Sequence, residues 1–99
     1  MESERTPTSQ SQHDQEVKRL ATEYQTRGYK VEADIKGFQR PQMIGKFIPD
    51  IKAKKGGQET IIEVETFDSV DSTRDLMQQD TFQSWSRQYK KRHFKRKIV

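Results

Sequence analysis

Residues 48–66 contain two strand-like runs separated by a glycine pair, and they constrain the fold more than any other part of the chain. The second run, residues 59–66, is rich in β-branched residues, which favour strands. Gly56-Gly57 is typical of the tight turn between two antiparallel strands. In the first run, Pro49 predicts a sheet edge or a bulge at that point, because proline cannot donate a ladder hydrogen bond. The stretch therefore predicts a β-hairpin.

The acids Asp50, Glu63 and Glu65 lie in these two runs. Side chains alternate between the faces of a strand with a period of two, so Glu63 and Glu65 share one face of the second run. Asp50 shares a face of the first run with Lys52, and pairing through the turn brings Asp50 beside Glu63 or Glu65. Carboxylates this close repel one another and raise at least one pKa unless a cation intervenes. Mg²⁺ or Mn²⁺, which take oxygen ligands, supply such a cation. The alternative is that the acids form the solvent-exposed face of a one-sided hairpin.

The remaining elements follow from hydrophobic periodicity and from capping residues. Val17, Ala21 and Tyr24 recur at helical spacing, which predicts a first helix. Ser72 is a candidate N-cap, so a second helix is expected to begin near residue 72 or 73, with Phe82 and Trp85 in the core. The predicted elements are a helix over residues 14–27, strands over 29–34, 46–54 and 59–66, a helix that ends near His93, and a strand over 94–99. This α-β-β-β-α-β order predicts a fold of the α/β (α+β) class.

Composition limits the size of the hydrophobic core. Only 29% of the 99 residues are hydrophobic and 34% are charged, which is a low apolar content for a chain that folds throughout. Residues 1–12, in which Met1 is the only hydrophobic residue, are therefore predicted to be a disordered tail, and residues 13–99 a single domain. The absence of cysteine excludes disulfides and cysteine-based zinc sites. No apolar run approaches the ~20 residues of a membrane span and no signal peptide is recognised, so we expect a soluble cytoplasmic protein.

Positive charge is concentrated near the carboxyl terminus. Residues 81–99 contain seven basic and no acidic residues, whereas the rest of the chain contains 12 basic and 15 acidic residues. Basic clusters displace counterions from phosphate backbones, so this segment predicts a nucleic-acid partner. The alternative is an ordinary solvated surface. Together with the loop before the second strand, this segment provides the candidate phosphate-binding residues Lys36, Arg40, Lys46, Arg87, Lys90, Lys91, Arg92, Lys95 and Arg96.

The two histidines are far apart in the sequence. A histidine metal site needs several ligands that converge, whereas His13 and His93 stand near opposite ends of the chain. Each is therefore expected to be a solvated residue.

The pattern Pro49-Asp50, followed after 13 positions by Glu63-Val64-Glu65, resembles the PD-(D/E)xK nuclease superfamily. The superfamily has the restriction-endonuclease-like fold, an α-β-β-β-α-β core with a central mixed sheet flanked by helices. Archaeal Holliday-junction resolvases share a compact version of it. The resemblance implies that Asp50, Glu63 and the backbone carbonyl of Val64 bind Mg²⁺ or Mn²⁺. It further implies an acid on the first helix, for which Glu16 is the first candidate and Glu23 the second.

The chain departs from the superfamily pattern at Glu65, where the superfamily usually has lysine. Some members carry glutamate there and still cleave, which implies a role for Glu65 as a base or as an additional metal ligand. Lys52, on the predicted face of Asp50, is a candidate replacement for the missing cation. The leading hypothesis is a metal-dependent nuclease that acts on DNA rather than RNA, as a homodimer because the domain is small. The alternatives are a nucleic-acid-binding module without activity and a protein-interaction subunit of a defence or mobile-element system.

Overall fold

Two helices and four strands form the fold of residues 5–99, the part of the chain that the computed structural model describes. The elements are α1 (Pro7–Thr26), β1 (Lys30–Ala33), β2 (Ile51–Lys55), β3 (Gln58–Glu65), α2 (Thr73–Arg87) and β4 (Arg92–Ile98). This order confirms the predicted α-β-β-β-α-β arrangement and the α+β class. Neither of these two helices is long and apolar enough to span a lipid bilayer.

The four strands form one mixed sheet in the order β1-β2-β3-β4. β2 pairs antiparallel with both β1 and β3, and Gly56 and Gly57 make the hairpin turn with φ angles of 60° and 81°. Glycine adopts such positive φ angles without strain, which explains its use at both turn positions. β4 instead lies parallel to β3. A parallel neighbour requires a crossover connection, and α2 supplies it. The predicted hairpin and mixed sheet are confirmed.

A helix packs on each face of the sheet, so the core has two parts. α1 contributes Val17 and Ala21 to a buried cluster that includes Ile62 of β3. α2 contributes Phe82 and Trp85 to a second cluster on the opposite face, which confirms their predicted place in the core. Phe82 is fully buried, and its truncation to alanine is expected to cost about 3–5 kcal/mol.

β3 lies between the two helices and is buried on both of its faces. Its residues Ile61 to Glu65 all lie in the interior, and the acids Glu63 and Glu65 are only 4% and 3% exposed. The alternative in which these acids form the solvent-exposed face of a one-sided hairpin is therefore wrong. Ile61, on the same face of β3, packs against α2, which shields that face from water.

Helix α1 begins at Pro7, about two turns before the predicted start at residue 14. Thr6 is its N-cap, and the Thr6 hydroxyl accepts a hydrogen bond from the Ser9 amide at 3.1 Å. Proline is favoured in the first helical turn, because the first amides of a helix have no intrahelical partner. Residues 7–12, predicted as part of a disordered tail, therefore form the first turns of a capped helix. Residues 1–4 of that predicted tail lie outside the described residues.

Helix α2 ends at Arg87, short of the predicted end near His93. Its N-cap is Ser72, as predicted, and the Ser72 hydroxyl accepts a hydrogen bond from the Asp75 amide at 3.1 Å. The chain leaves the helix and joins the sheet at Arg92, which lies opposite Glu59 of β3. Pairing with β3 satisfies the backbone groups of this segment, and it overrides the helical periodicity of the sequence.

Candidate active site

Asp50 and Glu63 lie side by side at the end of the sheet opposite the hairpin turn. Asp50 occupies a bend immediately before β2, at the point where Pro49 predicted an irregularity. The Asp50 amide donates a hydrogen bond to Glu63 Oε2 at 2.6 Å. The Val64 amide in turn donates to Asp50 Oδ2 at 2.9 Å. Each carboxylate is therefore fixed by a backbone amide of the neighbouring segment, and the structure brings the two acids together as the strand pairing predicted.

Glu65 is the next acid on the same face of β3. Its Oε1 accepts a hydrogen bond from the Ser69 hydroxyl at 2.8 Å. Burial raises the pKa of Glu65, and the hydrogen bond from Ser69 offsets this only in part. Burial, followed by the negative charge of Asp50, raises the pKa of Glu63 well above its ordinary value. Buried carboxylates crowded in this way favour the uptake of a proton or a cation.

Arg5 supplies positive charge beside these acids. Its Nη2 donates a hydrogen bond to the Val64 carbonyl oxygen at 3.0 Å and lies 3.6 Å from Glu65 Oε1. The charge of Arg5 acts against the effect of burial on the pKa values of Glu63 and Glu65. Sequence reasoning did not identify Arg5, which fell within the predicted tail.

Asp68 anchors the start of α1 to the loop after β3. Its Oδ2 accepts hydrogen bonds from the Thr6 amide at 3.0 Å and from the Ser9 hydroxyl at 2.7 Å. Its Oδ1 accepts one from the Thr66 hydroxyl at 2.6 Å. Hydrogen bonds from Thr66 and Ser9 lower the pKa of Asp68 to about 2. Because Arg5 immediately precedes the N-cap Thr6, this anchor also holds Arg5 beside the acids.

His13 reaches the same site from the buried face of α1. Its Nε2 lies 3.1 Å from Asp50 Oδ2, and its Nδ1 lies 2.9 Å from Asp14 Oδ1. Burial alone would lower the pKa of His13, but the hydrogen bonds to the two aspartates and the charge of Asp50 outweigh burial and raise it. The prediction that His13 is solvated is wrong, since only 6% of it is exposed. His13 lies one helical turn before Val17, so a helix extended by that turn would have placed it on the buried face.

A cleft of about 350 Å³ lies between the first turns of the two helices, and it is lined by Arg5, His13, Asp50, Glu63, Glu65 and Ser69, among others. α1 contributes Gln10 and His13, and α2 contributes Arg74 and Gln78. Acids outnumber cations among the residues that line the cleft. The acidic lining residues are Asp14, Asp34, Asp50, Glu63, Glu65 and Asp75.

The acids predicted on the first helix lie outside this cleft. Glu16 binds Arg19 at 2.7 Å and Lys97 at 2.8 Å. The hydrogen bond from Arg19 is the main reason that the pKa of Glu16 is lowered to about 2. Glu23 lies 3.3 Å from the same Arg19. α1 therefore presents His13 and Asp14 to the cleft, one turn before Glu16.

Lys52 also lies outside the cleft. It lies further along β2 towards the hairpin turn, whereas Asp50 lies in the bend before that strand. Its Nζ is 3.6 Å from Glu59 Oε2 and 5.9 Å from the centre of the Trp85 ring. The positive charge beside Glu65 comes from Arg5 instead.

The basic candidates fall into three groups. Lys36 and Arg40 lie near the cleft, where Arg40 pairs at 3.4 Å with a carboxylate that lines it. Arg92 and Arg96 form ion pairs within the protein, at 3.1 and 2.7 Å. The remaining candidates are exposed to solvent, and they are Lys46, Arg87, Lys90, Lys91 and Lys95.

The donor atoms of the cleft have the chemistry of a magnesium or manganese site. Hard divalent ions take carboxylate and carbonyl oxygens, and Asp50, Glu63 and Glu65 offer them next to the Val64 carbonyl. Within residues 5–99, however, no three acidic, histidine or cysteine side chains converge on a point where they would share an ion. The residues fit the metal chemically, because a carboxylate or carbonyl oxygen that accepts one hydrogen bond keeps a lone pair for an ion.

Comparison with known proteins identifies the family. A restriction-endonuclease-like family model, described as REase_AHJR-like, matches residues 5–83. The matched span includes His13, Asp50, Glu63 and Glu65. No curated protein and no solved structure shows a significant match to the chain. Because the family model covers well over half of the sequence, this protein belongs to the restriction-endonuclease-like family described as REase_AHJR-like.

Proposed function

We propose that this protein is a metal-dependent nuclease that hydrolyses phosphodiester bonds, with DNA as the favoured substrate. The observation that carries the proposal is the placement of Asp50, Glu63 and Glu65 in one cleft, with the first two held by backbone amides. Membership of a restriction-endonuclease-like family supports nuclease function. The preference for DNA over RNA follows from the resemblance to the PD-(D/E)xK superfamily.

Mg²⁺ or Mn²⁺ is the proposed cofactor. Asp50, Glu63 and the Val64 carbonyl oxygen would hold the ion. When bound, the ion activates water as a nucleophile and neutralises the charge that develops on the phosphate. Burial is the main reason that the pKa values of Glu63 and Glu65 are raised, and the charge of Asp50 raises both further. A bound cation would favour the ionised form of both carboxyls.

Glu65 is the proposed acceptor of the proton that the attacking water releases. Burial raises its pKa, so its carboxylate is a stronger base than that of an exposed glutamate. The Ser69 hydroxyl, which donates to Glu65 Oε1 at 2.8 Å, holds the carboxylate in one orientation. Glu65 is therefore suited to act as a base, although the superfamily usually has a lysine at this position.

His13 is proposed to position Asp50, and the cleft arginines to stabilise the phosphate. The imidazole ring bridges Asp50 and Asp14, with both of its nitrogens within 3.1 Å of a carboxylate oxygen. Arg5 and Arg74 line the same cleft. Their guanidinium groups provide positive charge for the non-bridging oxygens of a bound phosphate.

A nucleic-acid-binding module without activity is the second candidate function. Arg5 Nη2 donates to the Val64 carbonyl oxygen at 3.0 Å, which is a proposed metal ligand. Asp50 and Glu63 already accept hydrogen bonds from backbone amides. An arginine that permanently takes the place of the metal ion would leave a protein that binds nucleic acid and does not cut it.

Cleavage assays with plasmid DNA, branched DNA and RNA in Mg²⁺ or Mn²⁺ test the proposal. The wild-type protein should cleave DNA, and Asp50→Asn should lower the rate by more than about 100-fold. Loss of a residue that only supports a metal ligand lowers activity by about 10- to 100-fold, and loss of a ligand itself should cost more. Asp80→Asn is the matched control, since Asp80 is an exposed aspartate of α2 that does not line the cleft. Equal cleavage by wild type and Asp50→Asn contradicts the catalytic proposal. Binding of DNA without cleavage favours the second function.

We further propose that the active form is a homodimer, because a chain of 99 residues with a low apolar content has a small core of its own. Light scattering at the assay concentration measures the mass. A monomer that retains full activity contradicts this arrangement.

A further inference from the structure

A second charged surface lies at the end of the sheet opposite the cleft. The strand register places Lys30, Lys54, Glu59 and Arg92 in one row across all four strands. Lys55 at the end of β2 and two lysines in the connection before β4 extend this row. The hairpin-end patch is defined as the exposed residues Lys30, Lys54, Lys55, Lys90 and Lys91.

The positive charge of the hairpin-end patch is not balanced within the protein. Glu59 is the acid of the row, and it already binds Lys52 at 3.6 Å and Arg92 at 3.1 Å. Among the ion pairs of residues 5–99, none involves a lysine of the patch. The patch therefore presents five lysines without a carboxylate partner among residues 5–99, and the fold gathers them from three separate parts of the sequence. Lys55 Nζ donates a hydrogen bond to the Arg27 carbonyl oxygen at 2.7 Å.

Lys30 and Lys54 face each other directly across β1 and β2. Like charges at directly opposed positions destabilise a sheet. Lysine on an edge strand protects it from pairing with other chains, which accounts for Lys30 on the edge strand β1. It does not account for Lys54, because β2 is an interior strand of the sheet. A repulsive pair that the fold does not need points to an anionic ligand that compensates for it.

We propose that the hairpin-end patch binds the phosphate backbone of a nucleic acid, at a distance from the phosphate that lies in the cleft. The row that contains Lys54 and Glu59 is four residues along the strands from Asp50 and Glu63, which is about 13 Å at ~3.3 Å per residue. B-form DNA rises ~3.4 Å per base pair, so this distance corresponds to about four base pairs. The position relative to the cut rests on the proposed nuclease function, whereas binding by the patch does not.

The composition of the surface favours nucleic acid over an anionic membrane. Helices that insert into a membrane interface combine cations with apolar side chains that enter the bilayer. Among residues 5–99, Tyr89 is an exposed aromatic residue that lies beside the patch. The Arg92 guanidinium lies 4.5 Å from the centre of its ring and covers one face of it. The patch thus offers charge without an apolar anchor, which suits a phosphate backbone.

The test is the affinity for a 20-base-pair duplex, measured by fluorescence anisotropy at several salt concentrations without divalent ions. Lys30→Gln/Lys54→Gln should bind more weakly, and the slope of log K against log salt should fall by about 0.9 for each lysine that contacts a phosphate. Lys18→Gln/Arg19→Gln removes the same charge from the exposed face of α1, and its affinity should stay within about twofold of wild type. Thermal unfolding verifies that both variants fold.

Three results would overturn the proposal. Equal weakening by both double variants shows that net charge alone governs binding. Unchanged binding by Lys30→Gln/Lys54→Gln shows that the lysines only solvate the sheet end. Equally tight binding to phosphatidylserine vesicles assigns the patch to membranes. Loss of DNA binding in the patch variant, together with no cleavage by wild type, supports the patch and removes the nuclease proposal alone.

Discussion

His13 Nε2 lies 3.1 Å from Asp50 Oδ2, and this contact joins helix α1 to the acidic cleft. The other ring nitrogen, Nδ1, lies 2.9 Å from Asp14 Oδ1, so the imidazole is held on both sides. Helix α1 therefore both covers the sheet and fixes the carboxylate that precedes β2.

Replacement of His13 by glutamine should lower kcat for DNA cleavage by about 10- to 100-fold, the range for residues that orient a metal ligand. KM should change little, because both ring nitrogens of His13 are engaged by aspartate oxygens. Steady-state kinetics in Mn²⁺ measure both constants. His93→Gln is the control, since His93 is exposed and bonds only to Gln58. An equal loss in both variants, or a change in KM alone, would contradict a positioning role.

Replacement of Arg5 by glutamine should strengthen Mn²⁺ binding by roughly tenfold, because it removes a cation that lies within 4 Å of the acids. Isothermal titration calorimetry measures the affinity. Arg19→Gln, which removes a cation from an exposed ion pair of α1, should leave it unchanged. Weaker Mn²⁺ binding by Arg5→Gln would show that Arg5 orients the donors and does not compete with the ion.

Replacement of Glu63 by glutamine should stabilise the metal-free protein at pH 8 while it abolishes cleavage. Burial and the charge of Asp50 raise the pKa of Glu63, so ionisation of this carboxyl is unfavourable in the folded state. The free energy of unfolding is therefore expected to rise, because the neutral amide carries no cost of ionisation in the buried site. Denaturant unfolding measures it, with the exposed Glu23→Gln as the control. Destabilisation by Glu63→Gln would indicate that the charge is compensated within the fold.

Acid should weaken the attachment of α1 through Asp68. The pKa of Asp68 is lowered to about 2 in the folded protein, first by the hydrogen bonds from Thr66 and Ser9. A lowered folded-state pKa contributes stability above the ordinary aspartate value, and this contribution is lost as the pH falls from about 4 to about 2. Asp68→Ala should therefore melt at a lower temperature than wild type at pH 7, and the difference should shrink towards pH 2. A difference that is constant with pH would contradict this role.

The sequence predicts the acidic hairpin because only local rules are needed. The period of two along β3 places Glu63 and Glu65 on one face, and Gly56-Gly57 determines the turn that brings Asp50 alongside. Pro49 predicted a sheet edge or a bulge, and the chain bends at the next residue, Asp50, immediately before β2. These interactions depend on residues that are close in the sequence.

The contributions of α1 and β4 depend on distant contacts and could not be predicted in the same way. The start of α1 is held by Asp68, far along the chain, and this contact places Arg5 and His13 in the cleft. Glu16, which the resemblance implied as the acid of α1, instead pairs with Arg19 and Lys97 outside the cleft. The segment before Arg92 has helical periodicity, but pairing with β3 ends the helix.

The most direct test of the central claim is a titration of the metal-free protein with Mn²⁺, followed by NMR line broadening. If the cleft binds the ion, the amide signals of Asp50, Glu63, Val64 and Glu65 should broaden first. At the same metal concentrations, the amide signal of Asp80, which lies on the exposed face of α2, should stay sharp. Asp50→Asn should remove this selective broadening. Broadening that is absent, or that affects surface acids such as Asp80 equally, would contradict a divalent-ion site and with it the proposed nuclease.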